Sequence, residues 1–109
     1  MVLKVEAAIQ KAVIRLVHDE YPAVLIVATA NENHYRDTAQ IGSLGVPDLI
    51  LFHLDGRVLF LELKRKKGKL LASQKSWNAW FDASGMPHKR AVAYGFAEAK
   101  AIIESFANP

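Results

Sequence analysis

The 109-residue sequence contains no cysteine. This absence excludes disulfide bonds, thiolate metal ligands and a cysteine nucleophile, and it favours a reducing compartment. Long hydrophobic runs are also missing, because the longest, AVLIVATA at 23–30, is far shorter than the roughly 20 residues that span a bilayer. The first residues, MVLKVEAAIQ, lack the apolar centre and the cleavage site of a signal peptide. We therefore expect a cytoplasmic protein.

The excess of charge of one sign is small, at +3. An excess of this size does not by itself indicate a nucleic-acid partner. The distribution of charge is more informative, since five basic residues fall within the run KRKKGK at 64–69, and Lys89 with Arg90 forms a second patch. A lysine-rich run is usually a solvated loop, but this one begins inside a predicted strand. That position favours contact with phosphate groups.

Hydrophobic residues make up 51% of the sequence and charged residues 23%, which is typical of a globular protein. The length suits one domain with one modest core, so we expect a single domain over residues 1–109. Hydrophobic periodicity predicts an α/β fold with the element order α-β-β-β-α-β-α. The expected ranges are a helix at 3–20, strands at 23–30, 46–53 and 57–64, a helix from an N-cap at Ser73 to about Ser84, a strand at 89–95 and a helix at 96–106.

Two of the predicted strands carry charge where a buried strand is normally apolar. Glu62 and Lys64 end the strand at 57–64, and they share one face because side chains alternate along a strand. Asp48 lies near the start of the preceding strand. Buried charge costs several kcal/mol unless it is paired or bound to a metal. Glu62 and Lys64 alone are compatible with a surface ion pair at a strand end, but Asp48 favours a functional site.

The turn between these two strands decides whether the acids meet. A two-residue turn places Asp48 and Glu62 on opposite faces of the sheet. A three-residue turn, with Gly56 in the left-handed region, pairs His53 with Arg57 and places Asp48 opposite Glu62, with Cβ atoms about 5 Å apart. Both turns fit the sequence. We favour the second, because it gives the charge of Asp48 a purpose.

Two opposed carboxylates repel each other unless a cation lies between them. Oxygen ligands suit Mg²⁺ or Mn²⁺, whereas a zinc site is not expected without cysteine and with four scattered histidines, His18, His34, His53 and His88. Lys64 would help to position or deprotonate a water, or would neutralise charge that develops on a phosphate. The basic residues that follow would bind the DNA backbone; these are Arg65, Lys66, Lys67 and Lys69. Together these groups predict phosphodiester hydrolysis.

The stretches GVPDLILF and LFLELKRKKGKLLASQKSW resemble the VRR-NUC family of the PD-(D/E)xK nuclease superfamily, in its small stand-alone phage and bacterial form. The similarity lies in Pro-Asp, in Glu-x-Lys at a strand end and in Gly-Lys-Leu followed by Gln-x-x-Trp, and it spans about Gly42 to Val92. The resemblance implies a restriction-endonuclease-like core, with a mixed four-stranded β-sheet flanked by helices. It also implies a bacterial cell or a phage-infected host.

The resemblance further implies roles for individual residues. Asp48 and Glu62 would bind the metal together with the backbone carbonyl of Leu63, and Lys64 would be the catalytic lysine. Gln74 matches the family's glutamine near the site, although it would also suit a helix cap. Superfamily members often add an acid from the first helix. Of the two candidates, Glu6 and Glu20, we prefer Glu6 because it lies at helical spacing from the apolar stripe; a solvated position for Glu6 at the helix start is equally compatible with the sequence.

Stand-alone members of this family are expected to be homodimers that prefer branched DNA such as a four-way (Holliday) junction. Trp80 is the better candidate for the dimer surface, whereas Trp77 and Phe81 suit a core. Our leading hypothesis is therefore a Mg²⁺- or Mn²⁺-dependent endodeoxyribonuclease that resembles a junction resolvase. The alternatives are a nuclease that acts on linear or flap DNA, a non-catalytic nucleic-acid-binding module with the same fold, and a structural interaction protein.

Overall fold

The computed structural model describes residues 2–29 and 45–108, and the side chains from residue 5 onward. Its elements follow the predicted order, α-β-β-β-α-β-α. They are α1 (Val2–Glu20), β1 (Val24–Ala28), β2 (Leu49–His53), β3 (Val58–Lys64), α2 (Ala72–Ser84), β4 (Lys89–Tyr94) and α3 (Phe96–Ala107). Most of the segment between β1 and β2, including His34, lies outside the described residues.

The four strands form one sheet in the order β1-β2-β3-β4. The β1–β2 and β2–β3 pairs are antiparallel, and β3–β4 is parallel. A parallel pair needs a long crossover connection, which α2 supplies here. The prediction of a mixed four-stranded sheet flanked by helices is confirmed. Within the described ranges, no helix combines the length and the apolar character needed to cross a membrane.

The β2–β3 hairpin has the three-residue turn that the sequence analysis favours. The backbone N–H of His53 donates to the carbonyl of Arg57 at 2.9 Å, and Leu49 pairs with Leu61. Gly56 has φ of 98°, in the left-handed region. This register places Asp48, the residue before β2, beside Glu62 on the same face of the sheet.

One face of the sheet holds the main core, under α1 and α3. The alternating leucines of β3 point into it, because every second residue of a strand faces the same way. The helices contribute apolar residues at helical spacing. The buried members are Val13, Val17, Val24, Leu49, Leu51, Leu59, Leu61, Leu63, Ala93, Ala99, Ile103 and Phe106.

The opposite face is covered in part by α2. The ring of Phe60 lies 5.7 Å from that of Trp77 and 5.5 Å from that of Phe81, measured between ring centroids. Trp77 and Phe81 thus pack against the sheet, as the sequence analysis expects. Trp80 points away and is 61% exposed. Because α2 lies over this face, it brings its first turn to the charged end of β3.

The start of α2 differs from the prediction. Ser73 was the expected N-cap, but the helix begins at Ala72 and Leu71 occupies the N-cap position. Leu71 has no polar side chain to cap the helix. Instead, its backbone N–H donates to Oε1 of Gln74 at 2.8 Å, which is one half of a capping box. The reach of a glutamine three residues ahead therefore sets this end of the helix. The other end closes at Gly85, with φ of 69°, as expected.

Candidate active site

The site begins with two acidic side chains at the open end of the β2–β3 hairpin. Glu62 is only 5% exposed, so it is not part of a fraying surface pair. Asp48 is half-buried, and its Oδ2 accepts a hydrogen bond from the backbone N–H of Leu63 at 2.8 Å. This bond ties Asp48 to the neighbouring strand, and it fixes the orientation of one carboxylate relative to the other.

The backbone of Leu63 is directed at the same place. The N–H and C=O groups of one strand residue point to the same side of the strand. The N–H of Leu63 points toward Asp48, whereas the next carbonyl, that of Lys64, faces β4 and accepts from the N–H of Gly95 at 2.7 Å. The carbonyl of Leu63 therefore faces Asp48, although its side chain lies in the core on the other face.

The two carboxyl groups share an electrostatically unfavourable position. Burial is the main cause that raises the pKa of Glu62 to about 9, followed by the charge of Asp48 and a hydrogen bond between the two carboxyl groups. The charge of Lys64 acts in the opposite direction and that of Glu6 adds slightly to the increase. Without a bound cation, these effects favour the protonated form of Glu62.

Gln74 connects α2 to this acidic pair. Its Nε2 donates to Oε2 of Glu62 at 2.6 Å, while its Oε1 accepts from Leu71. The second bond fixes which end of the amide faces the acid. Both interpretations of Gln74, a helix cap and a residue at the site, thus correspond to observed hydrogen bonds. The other oxygen of Glu62, Oε1, is buried and has no hydrogen-bond partner in the described parts of the chain.

Lys64 is buried beside the acids, with its side chain 7% exposed. Its Nζ lies 4.0 Å from Oε2 of Glu62, which is close enough for electrostatic attraction but too long for a hydrogen bond. No hydrogen bond joins this Nζ to another residue of 2–29 or 45–108. The ammonium group is therefore held at the site by burial and charge, and none of its N–H donors is used by the part of the chain that the structure describes.

Of the two candidate acids on α1, the structure brings Glu6 to the site. Its charge contributes to the raised pKa of Glu62, so the two groups are electrostatic neighbours. Glu20 ends the helix, about 21 Å farther along its axis. Among the described residues, no three acidic or histidine side chains come close enough to form a complete metal centre. Asp48 and Glu62 are therefore the main part of the site, and the role of Glu6 as a ligand stays a prediction.

The basic residues Arg65, Lys66, Lys67 and Lys69 follow β3 at the same end of the sheet. The N–H of Gly68 donates to the carbonyl of Arg65 at 2.8 Å and closes a turn. The three lysines are exposed and Arg65 is half-buried. Their positions border the charged end of β3, as the sequence order requires.

Two residues at the site have no role in the sequence analysis. Tyr94 ends β4 and pairs with Lys64 across the parallel strands. The order of strands is a long-range property, and a tyrosine directly before Gly95 is only a weak local signal. Gly45 precedes β2, and a Cβ there would lie 2.1 Å from the carbonyl oxygen of Ser73. The sequence shows this glycine as part of GVPD, but not the close contact with the start of α2.

The donor set fits a hard divalent cation. The two carboxylates and a backbone carbonyl directed the same way all offer oxygen ligands, and one carboxylate oxygen is buried without a hydrogen-bond partner among the described residues. No cysteine is present, and no described histidine contributes to a metal group. Mg²⁺ and Mn²⁺ suit such ligands better than zinc does.

An acidic pair and a buried lysine at the end of a mixed sheet, with a glutamine from the crossover helix, define an α/β domain of nuclease type. The VRR-NUC domain family matches residues 6–96. The chain therefore belongs to the VRR-NUC domain family, and the resemblance described above is confirmed.

Solved structures show the same fold. A VRR-NUC domain with 20% sequence identity superposes with a TM-score of 0.67, covering 93% of this chain and 96% of that chain. A VRR-NUC domain protein with 18% identity also gives a TM-score of 0.67, covering 91% and 84%. At these identities the similarity establishes the fold alone. No curated protein matches the chain.

Proposed function

We propose that the protein is a metal-dependent endonuclease that hydrolyses phosphodiester bonds in DNA. The observation that supports this most strongly is the arrangement of Asp48, Glu62 and Lys64 at one end of the sheet. Glu62 and Lys64 are both 5% exposed, and Asp48 lies beside Glu62. A fold gains no stability from two adjacent acids of this kind, because the repulsion and desolvation are unfavourable. Such a cluster is the pattern expected of a catalytic site.

Asp48 and Glu62 would hold the Mg²⁺ or Mn²⁺ ion, with the carbonyl of Leu63 and, more peripherally, Glu6 as further oxygen groups. A bound ion would polarise the scissile phosphate and lower the pKa of the attacking water. The protein prepares the ligands in advance. The N–H of Leu63 orients Asp48, and the amide of Gln74 orients Glu62. Such neighbouring hydrogen bonds commonly position metal ligands.

Lys64 would act on the phosphate itself. Its ammonium group is buried, where a charge interacts more strongly than it does in water. Glu62 holds it at 4.0 Å without occupying its donors. Lys64 can therefore donate to the phosphate oxygen that gains negative charge as the water attacks, which is electrostatic stabilisation of the transition state.

We also propose that the substrate is branched DNA, with the four-way junction as the preferred form, and that the protein acts as a homodimer. The exposed lysines after β3 provide cations for the DNA backbone next to the site. Trp80, at 61% exposure, is available to a partner, whereas Trp77 and Phe81 pack against Phe60. A twofold dimer would present two sites to two strands.

The test uses labelled four-way junction, flap and linear duplex DNA of matched sequence, each with Mg²⁺, Mn²⁺ or EDTA. Wild type is compared with Lys64→Ala and with Lys100→Ala, a control that removes an exposed lysine of α3. We expect metal-dependent paired nicks in the junction, no cleavage by Lys64→Ala and full cleavage by the control.

Three other outcomes of this assay would contradict parts of the proposal. Equal cleavage of duplex and junction would keep the endonuclease and remove the preference for branched DNA. Binding of DNA in EDTA without cleavage under any metal condition would contradict the enzyme, and would identify a non-catalytic nucleic-acid-binding module. If the protein neither bound nor cleaved any of the DNA substrates, a structural interaction protein would be the better explanation.

A further inference from the structure

Tyr94 lies directly beside the proposed catalytic lysine. It is the partner of Lys64 in the parallel β3–β4 pair. Neighbouring strands are about 4.8 Å apart, and paired residues project from the same face of the sheet. The phenol of Tyr94 therefore leaves the sheet on the face that carries Glu62 and Lys64, one strand farther from Asp48.

The main chain at this point is firmly held, whereas the phenol is available. The N–H of Tyr94 donates to Oε1 of Glu98 at 2.9 Å, and the N–H of Gly95 donates to the carbonyl of Lys64. The hydroxyl of Tyr94 forms no hydrogen bond with any residue of the described ranges. The side chain is half-buried, so part of it is accessible to a ligand.

Gly95 allows a lysine to approach the same point. A Cβ at Gly95 would lie 3.2 Å from Cγ of Lys66, so the aliphatic part of Lys66 crosses the end of β4 where a side chain is missing. The φ of 94° at this residue also favours glycine. Lys66 is exposed, and its aliphatic part lies against the residue that directly follows Tyr94.

We propose that Tyr94 is a substrate-contacting residue, which donates its hydroxyl to the DNA phosphate next to the scissile one while Lys66 neutralises the same phosphate. Tyrosine hydroxyls are among the groups that bind phosphate oxygens in DNA complexes. This proposal rests on the proposed function. It adds β4 to the DNA-binding surface, which otherwise consists of the segment after β3.

The experiment measures the affinity for a labelled four-way junction by fluorescence anisotropy in EDTA at several salt concentrations. It compares wild type with Tyr94→Phe, Lys66→Gln and the control Tyr21→Phe, which changes a half-buried tyrosine just after α1. We expect Tyr94→Phe to weaken binding about tenfold at every salt concentration, because one hydrogen bond to a charged group is lost. Lys66→Gln should reduce the slope of log affinity against log salt by about one, and Tyr94→Phe should leave that slope unchanged.

Cleavage kinetics provide the second measurement. Tyr94→Phe should raise KM about tenfold and change kcat less than twofold, since the contact is made before and during the reaction. Affinity and KM equal to those of wild type, or an equal loss in Tyr21→Phe, would overturn the proposal. Binding is measured without metal and is therefore independent of cleavage. A wild type that binds DNA but never cleaves it would contradict the proposed nuclease activity. The affinities of wild type and Tyr94→Phe would still test whether Tyr94 contacts the DNA.

Discussion

The carboxyl group of Glu62 has few contacts that compensate for its burial. One hydrogen bond comes from Gln74, and the ammonium of Lys64 lies 4.0 Å away. The nearest acid, Asp48, increases the cost of ionisation. Without a metal, the favourable state of Glu62 is therefore the protonated one. This makes the stability of the metal-free protein depend on pH in a direction opposite to that of an ordinary salt-bridged acid.

The first prediction follows from this protonation. Unfolded Glu62 loses its proton near its usual pKa of 4.5, whereas the folded residue keeps it up to about 9. Between these values the folded state binds more protons, so the free energy of unfolding falls as pH rises. Urea unfolding in EDTA at pH 5, 7 and 9 should show this decrease in wild type. Glu62→Gln should lack most of it, and an equal decrease in that variant would contradict the assignment.

Gln74 gives the second prediction. Gln74→Met keeps the length of the side chain but removes the hydrogen bonds to Glu62 and Leu71. We expect a loss of about 1–2 kcal/mol in the free energy of unfolding, since each hydrogen bond contributes about 1 kcal/mol. Thermal unfolding measures it, with Lys75→Met as the matched control on an exposed neighbour. Equal stability of the two variants would show that the two hydrogen bonds of the Gln74 amide do not stabilise the folded protein.

For individual residues, the sequence alone predicts which side chains strand alternation brings together at the site. Asp48, Glu62 and Lys64 follow from period-two patterning and one turn, both of which are local. The position of Gln74 came from the family resemblance. Tyr94 could not be predicted, because its proximity to Lys64 depends on which strand lies beside β3, and that is decided by the crossover through α2.

Among the secondary-structure elements, the β2–β3 hairpin and the entry to β2 determine the geometry of the site. The hairpin register was predicted because only one of two turns gave Asp48 an acidic neighbour. The start of α2 was not, since a serine in a suitable position is a stronger local signal than a leucine. The observed cap depends on Gln74, whose amide also bonds to Glu62 on another element.

Gly45 and Gly56 provide the third prediction, because they differ in one respect. Both have positive φ, at 88° and 98°. A Cβ at Gly45 would lie 2.1 Å from a backbone oxygen of Ser73, whereas a Cβ at Gly56 would meet nothing within 4 Å. Gly56→Ala should cost about 1 kcal/mol from backbone strain alone. Gly45→Ala should cost at least 2 kcal/mol more, because the start of α2 must move.

Urea unfolding of the two variants tests this difference, and cleavage provides an independent measurement. Gly45→Ala should also reduce activity, since α2 carries Gln74. Gly56 lies at the far end of the hairpin, so Gly56→Ala should leave activity close to wild type. If both variants lost the same stability, the contact between the loop before β2 and α2 would not contribute to the fold.

For the whole molecule, the sheet is protected unequally on its two faces. The core face is covered by α1 and α3, but α2 covers only part of the other. Leu25 and Phe52, which pair across β1 and β2 on that face, are 64% and 41% exposed. Hydrophobic periodicity predicts the four strands and their flanking helices. It does not predict this uneven cover, because it gives the apolar face of an element and not the element that packs on it.

Trp80 carries the last prediction, which concerns the assembly. Exposed aromatic residues are enriched at protein interfaces, and Trp80 is separated from the core aromatics of its own helix. We expect sedimentation velocity to show a homodimer for wild type and a monomer for Trp80→Lys, since a buried lysine without a partner strongly opposes association. Leu54→Lys is the control, because Leu54 is 85% exposed at the hairpin tip.

The junction assay then relates assembly to function. If two sites must act together, Trp80→Lys should nick one strand of a four-way junction but lose the paired nicks, while its cleavage of a single site stays near wild type. This follows because Trp80 lies on the exposed side of α2, and Gln74 lies on the side that contacts Glu62. A dimer that survives Trp80→Lys would place the interface elsewhere, and a wild-type monomer that still makes paired nicks would show that the two cuts are independent.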